Sequence, residues 1–135
     1  MTQGDDNPDR PAIHVSLAPE ADESLYKWIS VGAEEEGIPC RLMPADEIED
    51  QIDDEINDET DATALAHAAA RSSRLDVGVG VGSGQVAVHE RHMPAEQPVV
   101  ATKVEEDHAV HACRIAGSNA ARLVIGMPLR LDEKA

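Results

Sequence analysis

The fold is decided by a run of alternating valine and glycine, LDVGVGV, at Leu75–Val81. Valine favours a buried strand, and glycine at every second position allows another layer of the protein to approach the backbone closely. The GSG at Gly82–Gly84 predicts a tight turn, and Gln85–Glu90 then predicts an antiparallel partner strand. The stretch therefore predicts a buried strand with one antiparallel neighbour.

Further strands and helices are predicted on both sides of this hairpin. Helices between the first three strands favour parallel pairing among them, because a parallel connection needs a long crossover. We therefore predict a single α/β domain, residues 12–131, with three layers (α/β/α) and a mixed, mostly parallel sheet of about five strands. The other predicted strands are Ala12–Leu17, Cys40–Met43 and Val99–Lys103, and the predicted helices are Asp22–Glu36, Ala62–Arg71 and Asp107–Ile125.

The chain is small, acidic and poor in aromatic residues. Its 135 residues carry a formal net charge of −16, with no Phe, one Trp and one Tyr, so small aliphatic side chains must fill the core. The shortage of Lys and Arg argues against binding nucleic acid through its phosphates. The acidity is spread over the whole chain, which favours a halophilic cytoplasm over one basic partner. No apolar run approaches the roughly 20 residues of a membrane span, and we expect a cytoplasmic protein.

Two polar stretches and two cysteines complete this outline. Residues 1–11 predict a disordered lead-in without the apolar segment of a signal peptide. Residues 46–61 form an acidic insertion with Ile at every fourth position, which is compatible with a helix with one narrow apolar edge or with a solvated loop. Cys40 and Cys113 are expected to be reduced, as small apolar residues.

The motifs that could carry catalysis are weak. The glycines at 78–84 alternate within a strand and lead into another strand, unlike the strand-to-helix loop of a phosphate site. His108 and His111 stand at helical spacing, but a metal site would need both to face inward and a third ligand to join them. Neither cysteine lies in an activating context, and Ser83 lacks a nucleophile elbow. We therefore predict no catalytic residue, no cofactor-binding residue and no tightly bound cofactor.

Three consecutive carboxylates, Glu34–Glu36, close the first predicted helix. The helix dipole already places negative charge at a C-terminus, so this arrangement favours a compensating cation or a basic partner. At 100° per residue, Glu35 falls within roughly 20° of Trp28 and prolongs the apolar face. Glu35 is therefore the candidate ligand for Mg²⁺ or Ca²⁺, or for a partner's arginine, across an interface. The alternative is a frayed helix end whose acids are all hydrated.

Four segments in register resemble the small (β) subunits of diol and glycerol dehydratase reactivating factors, which serve B12-dependent enzymes. The resemblance runs over roughly residues 12 to 131 and implies a three-layer α/β fold similar to that of the dehydratase β subunit. The segments are EEEGIP at Glu34–Pro39, AARSSRL at Ala69–Leu75, VAVH at Val86–His89 with Met93–Ala95, and GSNAARLV at Gly117–Val124 with Gly126–Pro128.

This resemblance implies an accessory subunit and not an enzyme. The large subunit of such a factor is a chaperone-like ATPase, and the complex binds dehydratase that holds a damaged, adenosyl-less cobalamin. Exchange of the small subunit with the dehydratase β subunit opens the enzyme and releases the spent cofactor. The resemblance also implies that Glu35 helps to ligate a metal at the junction with the large subunit.

Two other functions stay open, since one fold serves many roles. The chain could be a β-like (medium) structural subunit of the dehydratase itself, or a stand-alone flavodoxin-like ligand-binding module. The implied partners are the large reactivase ATPase subunit and the B12-dependent dehydratase, without nucleic acid or membrane. An isolated chain is also compatible with a homodimer, because an exposed partner-facing patch would find a substitute neighbour.

Overall fold

A computed structural model of the protein describes residues 10–43 and 61–131. Most of the predicted lead-in at 1–11 and most of the acidic insertion at 46–61 lie outside the described residues. The predicted order of strands and helices is confirmed within them. In chain order the elements are β1 Ile13–Leu17, α1 Ser24–Glu35, β2 Cys40–Leu42, α2 Ala62–Ser72, β3 Val77–Gly82, β4 Gln85–Glu90, β5 Val100–Lys103, a short 3-10 turn Glu106–His108, and α3 Ala109–Ile125.

The five strands form one mixed sheet in the order β2-β1-β3-β4-β5. β1 pairs in parallel with both β2 and β3, whereas β3–β4 and β4–β5 are antiparallel. The predicted mixed sheet is confirmed, but "mostly parallel" holds only in part, because two of its four pairings are antiparallel. The hairpin turn at Ser83 reverses β4, and a second reversal before β5 places that strand at the edge.

Helices cover both faces of the sheet and give the predicted three layers. Alternate strand residues such as Ile13, Val79 and Val88 form one core with α1 and α3. The opposite face carries small residues, where Ala87 packs against Ala62 and Ala66 of α2. This division follows from the period of two in a strand, which sends neighbouring side chains to opposite faces.

Glycine permits the closest approach on each face. A Cβ on Gly78 or Gly80 of β3 would overlap backbone atoms of α2, so the glycines of this strand serve packing. On the other face α1 and α3 cross at Gly32 and Gly117, and a Cβ on Gly117 would overlap the carbonyl oxygen of Ile29. This crossing fixes how the end of α1 meets the middle of α3, which is where the candidate site lies.

The two cysteines are free and buried. Burial raises the pKa of the Cys113 thiol to about 12, and burial together with the nearby Glu34 carboxylate raises that of Cys40 to about 12. A thiol that stays protonated at neutral pH is a poor nucleophile. The expectation that both cysteines are reduced, small apolar residues is confirmed.

Candidate functional site

The acidic end of α1 is a compact helix terminus. Gly37 adopts a left-handed conformation, with φ of 91°, and its N–H donates to the Glu34 carbonyl at 3.0 Å. The Ile38 N–H donates to the Ala33 carbonyl at 3.1 Å. Glycine tolerates this conformation, and the turn satisfies carbonyls that a helix end leaves without partners. The helix end is therefore well formed, and it sets the backbone positions from which the three glutamate side chains project.

Three polar residues of α3 face this terminus. Arg114, Ser118 and Arg122 are spaced by four residues, so they lie on one side of the helix. The crossing at Gly32 and Gly117 brings that side against the end of α1. Positive charge from α3 thus meets the negative end of α1.

Glu35 pairs with Arg114. The Arg114 guanidinium donates to both carboxylate oxygens, with Nε 3.3 Å from Oε1 and Nη2 in close contact with Oε2. The hydrogen bond from Arg114 holds the pKa of Glu35 below its ordinary value. The Glu35 and Arg114 side chains keep 40% and 47% of their surface exposed, so solvent and a partner can reach this pair.

Glu36 makes the more enclosed contact. Its Oε2 accepts hydrogen bonds from Ser118 Oγ at 2.7 Å and from Arg122 Nε at 3.0 Å. The Glu36 side chain is 16% exposed. The hydrogen bonds from Ser118 and then Arg122 lower the pKa of Glu36. Arg122 also donates from Nη1 to the Pro128 carbonyl at 3.1 Å, which ties the C-terminal tail to the same junction.

The helical wheel, which placed Glu35 on the buried face of α1 beside Trp28, was wrong about that face. The buried residues are Ile29, Gly32 and Ala33, and that face continues into Glu36, seven residues after Ile29. Glu35 lies beside it and is exposed. The acidic cluster predicted a cation or an arginine of a partner chain at Glu35. The structure instead pairs Glu35 with Arg114 of the same chain, a contact that was not predicted, and the cation stays a prediction.

The arginines of α3 were missed by sequence reasoning, although a signal existed. Both GSNAARLV and EEEGIP carry the family resemblance, and EEEGIP also carries the charge argument. Neither observation predicts that the two segments touch. Arg114 and Arg122 lie eight residues apart on one helix face. A row of arginines on one face is complementary in charge to a cluster of acids on a neighbouring helix. We refer to Glu35, Glu36, Arg114, Ser118 and Arg122 together as the helix junction.

Glu35 does not belong to a ready-made metal centre within residues 10–43 and 61–131. In these ranges, three side chains that could ligate a metal converge within 4.8 Å only at Asp76, Glu90 and His92. There His92 Nδ1 lies 2.7 Å from Glu90 Oε2, so a hydrogen bond already accounts for their closeness. A metal at Glu35 would need most of its ligands from another chain.

The histidines divide between the core and the surface. His89 is fully buried, and its ring lies at 55° to that of His67 with 4.6 Å between the ring centroids, whereas His92 is exposed. His108 and His111 line a groove beside α3, and Cys113 faces the core. The described part of the chain has no helix long and apolar enough to cross a membrane.

The fold and the helix junction define a small three-layer α/β domain with a partly exposed, ion-paired junction between two helices. Residues 10–130 match the family model described as "Dehydratase medium subunit". The chain is 36% identical over 126 residues to the diol dehydratase-reactivating factor small subunit of Klebsiella michiganensis, covering 92% of this chain and 87% of that protein. It is also 36% identical over 128 residues to the propanediol dehydratase-reactivating factor small subunit of Salmonella typhimurium, covering 93% and 96%.

Solved structures agree with these relatives. A glycerol dehydratase reactivase superposes with a TM-score of 0.73 at 29% identity, over 92% of this chain and 100% of that one. A diol dehydratase-reactivating factor complexed with ADP and Mg²⁺ gives a TM-score of 0.69 at 34% identity, over 90% and 98%. The chain belongs to the dehydratase medium subunit family, among the small subunits of diol and glycerol dehydratase-reactivating factors.

Proposed function

We propose that this chain is the noncatalytic small subunit of an ATP-dependent, chaperone-like factor that reactivates a B12-dependent diol or glycerol dehydratase. The observation that carries the proposal is the similarity to reactivating-factor small subunits over nearly the whole length of both chains. ATP hydrolysis belongs to a large partner subunit. The binding of ADP and Mg²⁺ by a related factor supports that assignment.

The proposed mechanism is exchange of subunits. The family model is described as a dehydratase medium subunit, while the curated relatives are reactivating-factor subunits. One fold therefore serves both complexes, which supports a cycle in which the small subunit leaves its large partner and the dehydratase β subunit takes its place. The opened dehydratase then releases damaged cobalamin, and fresh adenosylcobalamin binds. The exposed Glu35–Arg114 pair suits an interface that must form and separate, because polar interfaces resemble transient ones.

A second candidate function is favoured by the family description alone. The chain could be a medium subunit of the dehydratase itself. The two functions differ in what the chain retains, since a dehydratase subunit would co-purify with a catalytic subunit and a corrinoid. A reactivase subunit would co-purify with an ATPase and leave it after contact with inactivated dehydratase.

We also propose that Glu35 supplies one carboxylate to a Mg²⁺ or Ca²⁺ ion at the junction with the large subunit. Its exposure and its place at the negative end of α1 suit a hard cation. Arg114 holds both oxygens in the isolated chain, so one oxygen must be released for the ion. The remaining ligands would come from the partner.

The first experiment is coexpression of this chain with a candidate large reactivase subunit. We expect a stable complex that hydrolyses ATP and restores activity to dehydratase that holds a damaged cobalamin, with release of that cobalamin. Neither activity should appear with the small subunit alone. Failure of the wild-type chain to bind any large subunit, or retention of a corrinoid by the chain and a catalytic partner, would overturn the reactivase assignment.

The second experiment tests the metal with a matched pair of variants. Glu35→Gln keeps the side chain's shape but removes its charge, and Glu34→Gln does the same one residue earlier, where the side chain points to solvent. We expect Mg²⁺ to strengthen assembly of the wild-type and Glu34→Gln chains, and to have little effect on Glu35→Gln. Equal Mg²⁺ dependence of all three chains would remove Glu35 as a ligand.

A further inference from the structure

The chain reverses direction after α3. The Pro128 carbonyl accepts a hydrogen bond from Arg122 Nη1 at 3.1 Å, and the Arg130 N–H donates to Asn119 Oδ1 at 2.6 Å. Because the later residue of this pair contacts the earlier residue of the helix, residues 126–131 run back along α3. We call this segment the C-terminal tail.

The C-terminal tail is tied down by polar contacts and buries little apolar surface. None of its residues is buried, and Met127 and Leu131 are 43% and 60% exposed. Local opening costs least where few apolar groups are buried. The tail can therefore detach from α3 while the sheet and its helices stay folded.

Arg130 connects the C-terminal tail to the helix junction. Its Nη1 donates to Ser118 Oγ at 3.3 Å, and the same hydroxyl donates to Glu36 Oε2 at 2.7 Å. Hydrogen bonds from α3 side chains are the largest cause of the lowered pKa values of Glu35 and Glu36, and the charge of Arg130 lowers both further. The tail thus brings one more arginine to two carboxylates that α3 already pairs.

The cavity beside Glu35 shows the consequence of this additional arginine. It has a volume of about 270 Å³, and the charged residues that line it are Glu35, Arg114 and Arg130. A cation that approaches Glu35 from this cavity therefore meets one negative and two positive side chains. Because charges repel strongly over short distances where water is partly excluded, the cation binds better after Arg130 has moved away.

We propose that the C-terminal tail is autoinhibitory: its Arg130 occupies the helix junction of the free subunit and leaves when the large subunit and its cation bind. The tail keeps the free subunit from taking up the cation before the partner supplies the remaining ligands. The side chains that hold the tail in these contacts belong to the GSNAARLV segment, and they are Ser118, Asn119 and Arg122. The proposal rests on the proposed function, since that function supplies both the large subunit and the ion at Glu35.

The test measures the Mg²⁺ concentration that gives half-maximal assembly of the full-length small subunit with the purified large subunit, in the absence of nucleotide. Arg130→Gln removes the competing charge, and Asn119→Ala removes an anchor of the C-terminal tail without changing any charge. Arg91→Gln is the matched control, because it makes the same change of charge at an exposed arginine that pairs with Asp76. We expect the required Mg²⁺ concentration to fall about fivefold or more in Arg130→Gln and at least about twofold in Asn119→Ala. Arg91→Gln should stay within about twofold of wild type.

Amide hydrogen exchange follows the C-terminal tail itself. The Arg130 N–H, which is bonded to Asn119 Oδ1, should exchange slowly in the free wild-type chain and faster in the Mg²⁺-bound complex. This readout needs no variant, so it stands even if Asn119→Ala is poorly folded. Equal protection of the Arg130 N–H in the free and assembled wild-type chains would show that the tail stays in place, and the proposal would be wrong.

The outcomes separate this proposal from the proposed function. A wild-type chain that does not bind the large subunit overturns both. Wild-type assembly that Mg²⁺ does not strengthen leaves the reactivase assignment intact, but it overturns the ion at Glu35 and, with it, the autoinhibitory tail. If Mg²⁺ strengthens wild-type assembly and Arg130→Gln needs as much Mg²⁺ as wild type, this proposal alone is wrong. If Arg130→Gln weakens assembly at every Mg²⁺ concentration, Arg130 binds the partner directly and does not inhibit.

Discussion

The two faces of the sheet use glycine in the same way but place their polar groups differently. On one face, α1 and α3 meet at Gly32 and Gly117, and their carboxylate–arginine pairs lie at the rim. On the other face, α2 rests on the glycines of β3, and the polar groups are buried imidazoles. A polar rim can exchange its partners, whereas a buried polar layer must be satisfied within the domain.

The imidazoles His67 and His89 of the buried layer find hydrogen-bond partners within the domain. His89 Nδ1 accepts from the Glu90 N–H at 2.9 Å, so its Nε2 must carry the proton that it donates to the Ala95 carbonyl at 3.0 Å. His67 Nε2 donates to the Arg91 carbonyl at 3.3 Å. The polar groups of the α2 face are thus enclosed within the domain, whereas those at the rim of α1 and α3 stay partly exposed. Each prediction below disturbs one face and leaves the other as its reference.

The largest effect is expected at the helix crossing. In Gly117→Ala the new Cβ would overlap the Ile29 carbonyl oxygen, and α1 cannot withdraw without opening the core. We expect a loss of about 3 kcal/mol or more in the free energy of unfolding, measured by urea denaturation. Gly78→Ala, which would overlap α2 backbone, tests the opposite face and should be similarly severe.

Gly84→Ala is the control for these two substitutions. Gly84 has a positive φ of 75°, but a Cβ there would meet nothing within 4 Å. The free energy of unfolding of Gly84→Ala should therefore fall only by the backbone strain, about 1 kcal/mol. If Gly117→Ala were no worse than Gly84→Ala, the close helix crossing would not exist in solution.

Mild acid should weaken the α2 face before the helix junction. Burial, reinforced by Arg41, lowers the pKa of His14 from 6.5 to about 4, and burial also lowers that of His89. Because the unfolded chain takes up these protons first, stability should fall as the pH drops from about 6.5 to about 4. The His14 contribution is about 3 kcal/mol at most. Glu35 and Glu36 affect stability in a lower pH range, because their pKa values are depressed in the folded chain. Their contribution to stability is lost as the pH falls below about 4.5.

Urea unfolding at several pH values separates the histidine range, between about 6.5 and 4, from the glutamate range below about 4.5. In His14→Gln the loss of stability between pH 6.5 and 4 should shrink, although the variant starts from a lower value because its bond to Ser72 Oγ, 2.7 Å long, is altered. A wild-type chain with flat stability between pH 6.5 and 4.5 would contradict a neutral, buried His14.

The scaffold was more predictable from the sequence than the helix junction. The alternation in LDVGVGV predicted β3, its hairpin partner and the close approach of another layer, because a period of two is a local property. The N-terminus of α2 at Asp61 and the left-handed Gly37 likewise follow from short-range rules. The antiparallel pairing of β5 at the edge of the sheet could not be predicted locally, because it depends on the order of the strands in three dimensions.

The helix junction depends on which two helices touch, and no local rule supplies that. The sequence predicted a cation or a partner's arginine at Glu35, and it did not predict the contact with Arg114 of the same chain. A helical wheel that uses Trp28 as the reference for the buried face of α1 selects Glu35 and not Glu36. In fact Gly32 and Ala33 are buried, since a small residue lets the next helix come closest.

A smaller effect is expected at the enclosed carboxylate of the junction. Glu36→Gln removes the charge that Arg122 and Ser118 face, while the amide oxygen can still accept one hydrogen bond. We expect a loss of about 1 kcal/mol in urea unfolding at neutral pH. Glu34→Gln is the control, because its carboxylate is exposed and accepts only from Ser30 Oγ at 3.3 Å among the described contacts. Equal losses in the two variants would show that Glu36 is no better held than a surface acid.

The smallest effect concerns the exposed pair, where salt acts in two directions. Added NaCl screens repulsion within a chain of net charge −16, which stabilises it, and it also screens the attraction between Glu35 and Arg114. Because the repulsion involves far more charges, the melting temperature of the wild-type chain should rise with salt. Arg114→Gln removes the attraction and adds one net negative charge, so its melting temperature should start lower and rise more steeply. Parallel salt curves for the two chains would mean that this arginine contributes nothing in the free subunit and that its role begins only when a partner arrives.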